Sequence, residues 1–367
     1  MESFPLNLSA VYVDPHATSI FSPFSTPGRE IDGLSHFVLA ITGGIFLVVS
    51  ILLVHVITRY RARPGESSEP PQVFGSLQIE LSWTIIPILI IVVLFLSTAR
   101  VLFSIQDAPK PANALDVVVT GHQFWWEFQY PQYGVVTANE LHLPLSTPAA
   151  PRPAFLKLMS ADVIHSFWVP ELNGKTDLVP NKENEMWIDP QKPGLYLGQC
   201  AQFCGAEHAK MLLRVYVDTP EQFQKWIAGQ QKTQPELNTS DVGQADQGNT
   251  NGGVMAAAGS PSGTKGINAD TGGNQADAKL GQADFEHAAC FACHTISGTA
   301  AFGRMGPNLT HLMSRETLAA GIIANNAQNL KAWIADPDTF KPGSLMPALH
   351  LSDRENAEIT AYLLTLK

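Results

Sequence analysis

Two short segments contain all four cysteines of this chain, and each segment also carries a histidine at metal-ligand spacing. The first is Cys200-Ala-Gln-Phe-Cys204-Gly-Ala-Glu-His208-Ala-Lys-Met211, and the second is Cys290-Phe-Ala-Cys293-His294. Thiolate, imidazole and thioether form a soft ligand set that suits copper. Cys-x-x-Cys-His is the signature of covalent c-type heme attachment. The sequence therefore predicts two redox cofactors and leaves no cysteine for a separate structural disulfide.

A second histidine extends the first set, because His165 precedes it in Asp162-Val-Ile-His165. Two cysteines, two histidines and one methionine suffice for two coppers bridged by both sulfurs. Other interpretations remain open from the residues alone. Cys200 and Cys204 would form a disulfide in an oxidising compartment, the two cysteines and two histidines would suit structural zinc, and Met211 would be an ordinary core residue.

In the second set, Cys290 and Cys293 would bond a heme, and His294 would then face its iron. The alternative is a zinc site or a redox-active cysteine pair. A sixth iron ligand is expected to be Met or His. Met346, in Lys341-Pro-Gly-Ser-Leu-Met-Pro347, is the first candidate. The other candidates are Met305 in second place, Met313 as a core residue, and His287, His311 and His350 as surface or packing residues.

Composition limits the class of protein that holds these sites. The length of 367 residues suggests two or three domains. Because 45% of the residues are hydrophobic and only 15% are charged, part of the chain is expected to lie in lipid. The formal net charge of -10 argues against a nucleic-acid binder, whose affinity depends on Lys and Arg.

Two apolar runs, Phe37 to Ile57 and Leu81 to Ala99, are long enough to cross a bilayer. Arginines in the connecting loop place it in the cytoplasm by the positive-inside rule; they are Arg59, Arg61 and Arg63. Residues 1–30 then form an external segment, 31–104 a transmembrane hairpin, and everything after Phe103 lies outside. Glu80, at the edge of the second run, is either interfacial or part of a proton path. The first thirty residues do not read as a secretory signal.

The region after the hairpin changes to short β-branched and aromatic runs separated by Pro and Gly. The predicted strands are Asp116–Thr120, Phe124–Tyr130, Ala154–Ser160, Glu185–Asp189, Leu195–Gln199 and Met211–Asp218. Short strands at this density predict an antiparallel sandwich or barrel over residues 105–229.

Residues 230–278 are rich in Gly, Gln, Asn and Ser and almost free of large apolar side chains, which predicts a flexible linker. Such a coil of about fifty residues spans ~40 Å. Residues 279–367 follow as a small helical domain. Ser352 and Glu355 form a capping box that starts a final helix over Asp353–Leu366.

The hairpin and the first metal segment resemble cytochrome c oxidase subunit II over roughly Ile31 to Asp218. The resemblance rests on Glu80-Leu-Ser-Trp-Thr-Ile-Ile-Pro87, Gly121-His-Gln-Phe-Trp-Trp126, Asp162-Val-Ile-His165, Lys175-Thr-Asp177 and Pro193-Gly-Leu-Tyr-Leu-Gly-Gln-Cys200 running on to Met211. The Met346 loop likewise resembles the distal-methionine loop of class I cytochromes c.

This resemblance implies a multidomain chain: a two-helix transmembrane hairpin, a cupredoxin-like Greek-key β-barrel, a flexible linker and an all-α cytochrome c domain. By resemblance, the dinuclear CuA ligands are His165, Cys200, Cys204, His208, Met211 and the backbone carbonyl of Gln202. Glu80 would lie at the mouth of a proton path, and Phe124, Trp125 and Trp126 would form the aromatic segment through which electrons enter.

Two positions depart from the family pattern. Gln202 replaces a common Glu whose side chain helps to bind interface magnesium, which puts that ion in doubt. Phe124 replaces the first tryptophan of the aromatic segment, where soluble cytochrome c usually delivers electrons. This second change suits a covalently attached donor.

The resemblance implies an electron-accepting subunit of a proton-pumping oxidase in the bacterial inner membrane, with the CuA and heme c domains on the periplasmic side. The implied partners are subunit I, where O2 is reduced, subunit III, a soluble or membrane cytochrome or another high-potential donor, and the bilayer. A membrane-anchored electron carrier without an oxidase partner is the alternative. The chain has too few clustered histidines for a nitrous-oxide reductase, and quinol oxidase subunits lack the copper ligands.

Overall fold

The computed structural model describes residues 18–61, 65, 72, 74–232 and 271–367. Most of the predicted external segment and linker therefore lies outside the described residues, as does Arg63 of the predicted cytoplasmic loop. The predicted linker extends too far at its C-terminal end, because residues 271–278 belong to a helix that begins at Thr271. At its other end, the preceding helix ends at Gln230.

Two long apolar helices, α1 (Thr26–Arg59) and α2 (Leu77–Gln106), contain the two predicted spans. They have 34 and 30 residues, whereas a bilayer core needs about 20. Their most apolar windows are entirely unburied by the rest of the chain, as expected for surfaces that face lipid. Pro87 lies inside α2.

The outer ends of the hairpin are fastened to the β-sheet domain. The Thr26 backbone N–H and hydroxyl both donate to the Asp189 carboxylate, at 2.6 Å each. At the other helix, Trp187 Nε1 donates to the carbonyl of Ile105 at 2.7 Å. Because both helices are bound near their ends, the sheet domain is held directly at the end of the hairpin.

The β-sheet domain contains ten strands in two five-stranded sheets. The strands are β1 (Leu115–His122), β2 (Trp125–Tyr130), β3 (Val135–Ala138), β4 (Glu140–Pro144), β5 (Ala154–Ser160), β6 (His165–Trp168), β7 (Thr176–Leu178), β8 (Asn184–Ile188), β9 (Gly194–Cys200) and β10 (Leu212–Asp218). One sheet has the order β3-β2-β1-β5-β8 and the other β4-β10-β9-β6-β7. The β1–β5 and β4–β10 pairs are parallel, and the others are antiparallel.

One apolar core lies between the two sheets. Its largest fully buried side chains include Trp126, Tyr130, Phe128 and Phe167. In β1 buried and half-buried residues alternate along the strand, as the pleat requires. Helix α3 (Pro220–Gln230) begins at a capping box formed by Thr219 and adds further apolar side chains to this core.

The C-terminal domain is mainly helical. Its elements are α4 (Thr271–His287), α5 (Cys290–Cys293), β11 (Thr317–Leu318), β12 (Ile323–Ala324), α6 (Ala327–Ala335) and α7 (Asp353–Leu363). The predicted capping box is confirmed, because Ser352 and Glu355 exchange the expected hydrogen bonds at the start of α7. The helix ends at Leu363, three residues earlier than predicted, and Leu366 is nevertheless buried. The predicted fold class is confirmed, with two corrections. The sheet domain is not wholly antiparallel, because β1–β5 and β4–β10 pair in parallel, and the C-terminal domain is not wholly helical, because β11 and β12 form a small sheet.

Candidate copper and heme sites

Neighbouring strands of the second sheet bring the sulfur and imidazole side chains together. Cys200 is the last residue of β9, and His165 is the first residue of β6. These strands are paired through Phe167 and Cys200. The chain then loops through a 3-10 turn at His208–Lys210 and returns into β10, where Cys200 N–H donates to Met211 O at 3.0 Å.

The six predicted copper ligands form one cluster. The two thiol sulfurs, on Cys200 and Cys204, lie 3.8 Å apart. The remaining donors surround them: His165 Nδ1 is 3.9 Å and Gln202 O is 3.2 Å from the Cys200 sulfur, while His208 Nδ1 is 3.6 Å and Met211 Sδ is 3.8 Å from the Cys204 sulfur. Each sulfur thus has one imidazole nitrogen and one further donor atom beside it. The further donor is Gln202 O at Cys200 and Met211 Sδ at Cys204.

The donor atoms of the cluster distinguish between the copper, disulfide and zinc interpretations left open by the sequence. Both cysteines are free, and their sulfurs are too far apart for an S–S bond of about 2.05 Å. Tetrahedral zinc would use the two sulfurs and two imidazoles and leave the thioether and carbonyl without a role. The full set of soft donors fits copper better, and Met211 is a completely buried member of it.

Asp162 fixes the orientation of the His165 ring. Its carboxylate lies 2.7 Å from His165 Nε2, so that Nε2 carries the proton and Nδ1 is directed at Cys200. Gly121 leaves the required space, because a Cβ there would come within 2.8 Å of the His165 ring. Burial opposes protonation of His165, but the hydrogen bonds to Asp162 and Cys200 outweigh it and raise the His165 pKa.

The two thiols are coupled through a hydrogen bond. This hydrogen bond lowers the pKa of Cys200, and together with burial it raises the pKa of Cys204. Copper binding requires both thiols to be deprotonated, which makes metal affinity increase with pH.

The aromatic segment surrounds the cluster on one side. The Phe124 ring contacts Gly205 of the copper loop, where φ is +132° and an added Cβ would be 3.0 Å from that ring. Trp126 is fully buried and lies edge-on to His165, with ring centroids 6.1 Å apart. Trp125 stacks on His122 at 4.2 Å. Phe124 and Trp126 thus belong to the core of the sheet domain, whereas Trp125 packs with Ala138 and Ala320 in a separate buried cluster.

The heme motif forms a short turn, α5, with both cysteine side chains half-buried. His294 Nδ1 lies 2.8 Å from Pro307 O, which leaves Nε2 available for iron. Burial lowers the pKa of His294, so the imidazole is neutral as a ligand must be. Gly306 packs flat against this ring, because a Cβ there would come within 2.4 Å of His294 Cε1. The arrangement fits an axial histidine.

The candidate sixth ligands occupy different environments. Met346 is half-buried in its proline-rich loop, and the Met305 side chain is 76% exposed. Met313 packs against the core of the domain, as predicted. His311 was predicted to be a surface or a packing residue. It is buried, with Nδ1 2.8 Å from Lys367 O, so it is a packing residue. Met346 keeps its first rank and stays a prediction.

The described contacts do not decide the roles of the Glu80 and Gln202 side chains. Glu80 lies in the first turn of α2 with an exposed side chain, at the end of a predicted span. The Gln202 side chain is also exposed, so its change from Glu does not disturb the carbonyl that faces Cys200. The roles of both side chains stay predictions.

Sequence reasoning assigned no role to three residues near the site. Asp162 was part of the family motif, and its position three residues before His165 was the available signal. Glu140 and Lys341 contact the other domain across 177 and 217 positions of chain, respectively. No local sequence pattern predicts contacts between residues so far apart in the chain.

Sequence profiles of known families match three segments of the chain. Residues 16–101 match the transmembrane domain of cytochrome c oxidase subunit II, and residues 150–217 match its periplasmic domain. Residues 278–367 match cytochrome c. The subunit II domain implies copper, and the cytochrome c domain implies heme.

Individual proteins agree with the profiles. The chain is 32% identical to cytochrome c oxidase subunit 2 of Alkalihalophilus pseudofirmus, over 91% of this chain and 85% of that protein. It is 30% identical to the same subunit of Bacillus sp. strain PS3, over 84% and 80%. The solved periplasmic domain of subunit II of Bradyrhizobium japonicum cytochrome oxidase is 28% identical, with a TM-score of 0.31, over 33% of this chain and 95% of that one. This chain therefore belongs to the cytochrome c oxidase subunit II family and carries a cytochrome c domain after its β-sheet domain.

Proposed function

We propose that this chain receives electrons at a covalent c-type heme, passes them to a dinuclear CuA centre, and delivers them to a partner subunit I that reduces O2 to water. The observation that carries the proposal is the paired arrangement of the copper donors. Two thiol sulfurs 3.8 Å apart each have a separate imidazole nitrogen within 3.9 Å. A mononuclear blue copper site uses a single cysteine, so two flanked sulfurs favour a bridged pair.

The protein holds and tunes the groups that carry the electrons. The residues that would hold the copper pair are His165, Cys200, Cys204, His208, Met211 and Gln202, the last through its backbone carbonyl. Cys290 and Cys293 would bond the porphyrin, and His294 would bind its iron. When bound, copper and heme accept and release single electrons, and the burial of His165, Cys200, Cys204 and Met211 keeps these ligands away from water.

The proposed membrane arrangement follows from the charges of the hairpin. Arg59 and Arg61 lie at the inner end of α1, which by the positive-inside rule is cytoplasmic. The sheet and cytochrome domains then lie on the periplasmic side of a bacterial inner membrane, together with the N-terminal external segment. Glu80, at the cytoplasmic end of α2, is proposed as the entrance of a proton path shared with subunit I. Subunit III and a high-potential cytochrome or similar donor complete the proposed partners.

The order of electron transfer is tested by rapid mixing of the purified oxidase complex with a limiting amount of ascorbate and a phenylenediamine mediator, without oxygen. We expect the visible band of the heme to report reduction first, followed by loss of the near-infrared copper band as the heme is reoxidised. Reduction of copper before the heme, with the heme following, would contradict the proposed order.

Replacing Met346 with alanine should lower the heme potential by roughly 0.2 V, because axial ligands set heme potentials over a range of about 0.8 V. Electron delivery to copper should slow accordingly. A spectroelectrochemical titration of the visible heme band measures the potential.

Met305→Ala is the matched control, since the Met305 side chain is 76% exposed and ranks second as a ligand. It should leave the potential nearly unchanged. The opposite result, with Met305→Ala lowering the potential and Met346→Ala leaving it unchanged, would reassign the axial ligand.

A further inference from the structure

A buried carboxylate on the sheet domain is bound by the cytochrome domain. Glu140, on β4, is only 2% exposed. It accepts hydrogen bonds from the backbone N–H groups of Glu316 and Thr317, at 3.0 and 2.8 Å, and from the Thr317 hydroxyl at 2.7 Å. A buried charge is costly unless it is paired and hydrogen-bonded. The partners that satisfy this carboxylate belong to the other domain.

Basic side chains lie on both sides of this carboxylate. Arg214, on β10, is directly opposite Glu140 in the strand register and is itself buried. Arg315, on the cytochrome side, is also buried; burial lowers its pKa to about 10, and the nearby Glu140 charge acts in the opposite direction. Tyr216 donates from its hydroxyl to the Glu316 carboxylate at 2.8 Å. The negative charges of Glu140 and Glu316 are therefore balanced by the positive charges of Arg214 and Arg315 where the two domains meet.

A second contact joins the copper loop to the loop that carries Met346. Lys341 is 4% exposed, and its Nζ donates to the Phe124 carbonyl at 3.0 Å. In the reverse direction Lys210 Nζ, from the copper loop, donates to the Phe340 carbonyl at 2.8 Å. Close by, Gly343 approaches Ala206 so nearly that an added Cβ would lie 3.2 Å from the Ala206 Cβ. The two cofactor-bearing loops are thus in direct contact.

Apolar packing completes the contact. Trp125 and Ala138 of the sheet domain form a buried cluster with Ala320 of the cytochrome domain. Phe124 and Trp125 are both only 7% exposed. The Trp125 side chain is therefore covered in part by the cytochrome domain of the same chain, and Lys341 of that domain binds the neighbouring Phe124 carbonyl.

We propose that the cytochrome domain is docked on the sheet domain through a fixed interface, in which Glu140 holds the backbone at Glu316 and Thr317 and Lys341 seats the Met346 loop on the copper loop. Docking closes the Phe124–Trp125 surface to soluble donors, which must then deliver electrons to the cytochrome domain. This consequence for donors rests on the proposed function, whereas the docking itself does not.

Hydrogen–deuterium exchange, read by mass spectrometry on the purified full-length chain in its complex, tests the docking. In the unaltered protein the amides of Glu316 and Thr317 should be protected, because both donate to Glu140. Glu140→Ala removes the oxygen that accepts from both amides, so peptides containing these amides should exchange about 10-fold faster or more. Lys341→Met, on the other side of the interface, should accelerate the same peptides.

Glu183→Gln is the matched control, since Glu183 forms an exposed ion pair with Lys157 on the sheet domain and should leave exchange at 316–317 unchanged. Peptides from β9 and β10 should stay protected in every variant, which shows that the barrel is folded. Rapid exchange at Glu316 and Thr317 in the unaltered protein, or exchange unaffected by Glu140→Ala and Lys341→Met, would overturn the docking. A wrong electron order would leave the exchange pattern intact, so the two proposals fail separately.

Discussion

Replacing Cys204 with serine should abolish the near-infrared absorption of the purified oxidase and reduce its oxygen consumption by about 100-fold or more. Even loss of a group that supports a metal ligand typically costs 10- to 100-fold in affinity or activity, so loss of a ligand should cost at least the upper value. Serine is nearly isosteric, but its hydroxyl is a hard, protonated ligand at neutral pH. Cys204 contacts Cys200, His208 and Met211, so its loss should dismantle both halves of the site.

Ser166→Ala is a suitable control for this substitution. Ser166 is fully buried beside His165 but contributes no donor to the cluster. Its variant should keep the copper content, the near-infrared band and the oxygen consumption. If Cys204→Ser kept an unaltered band and full copper, the thiol pair would not be the copper bridge.

Replacing both Cys290 and Cys293 with alanine should remove heme from the denatured chain entirely. The two sulfurs supply the only covalent attachment that the motif offers, and His294 alone cannot retain heme once the domain is unfolded. A heme-stained denaturing gel and the mass of the denatured chain measure the attachment. Oxygen consumption with external donors should fall strongly, because the docked domain covers the aromatic surface of the barrel.

His287→Gln provides the comparison for the heme variants. His287 is exposed close to the motif, and its Nδ1 bonds the carbonyl of Ala283 within its own helix. Heme attachment should be normal in this variant. Heme that stays covalently bound in the double cysteine variant, or zinc found at this site in the unaltered protein, would contradict the assignment.

Local patterns explain why much of the copper site was predictable from the sequence. Cys200, Cys204, His208 and Met211 lie within twelve consecutive residues, so their spacing alone restricts them to a single loop. His165 lies 35 positions before Cys200, and its approach depends on the pairing of β6 with β9, which no local spacing predicts. The interdomain contacts of Glu140 and Lys341 could not be predicted, since they depend on how two separately folded domains pack.

The strands show the same distinction between local and tertiary information. Ala154–Ser160 was predicted with its observed bounds, because it is a short, mostly apolar run that follows the turn residues Pro151 and Pro153. His165–Trp168 and Thr176–Leu178 were not predicted as strands. They have four and three residues, which is too short for a recognisable period, and they are extended because β9 and β6 pair with them.

Metal analysis of the purified chain, combined with its near-infrared and electron paramagnetic resonance spectra, tests most directly whether Cys200 and Cys204 bridge a copper pair. We expect a pair of copper ions and a single heme iron per chain, with a hyperfine pattern from one unpaired electron shared by both copper nuclei. Zinc in place of copper, a Cys200–Cys204 disulfide, or a spectrum from a single isolated copper would contradict the bridged site on which the proposed electron transfer depends.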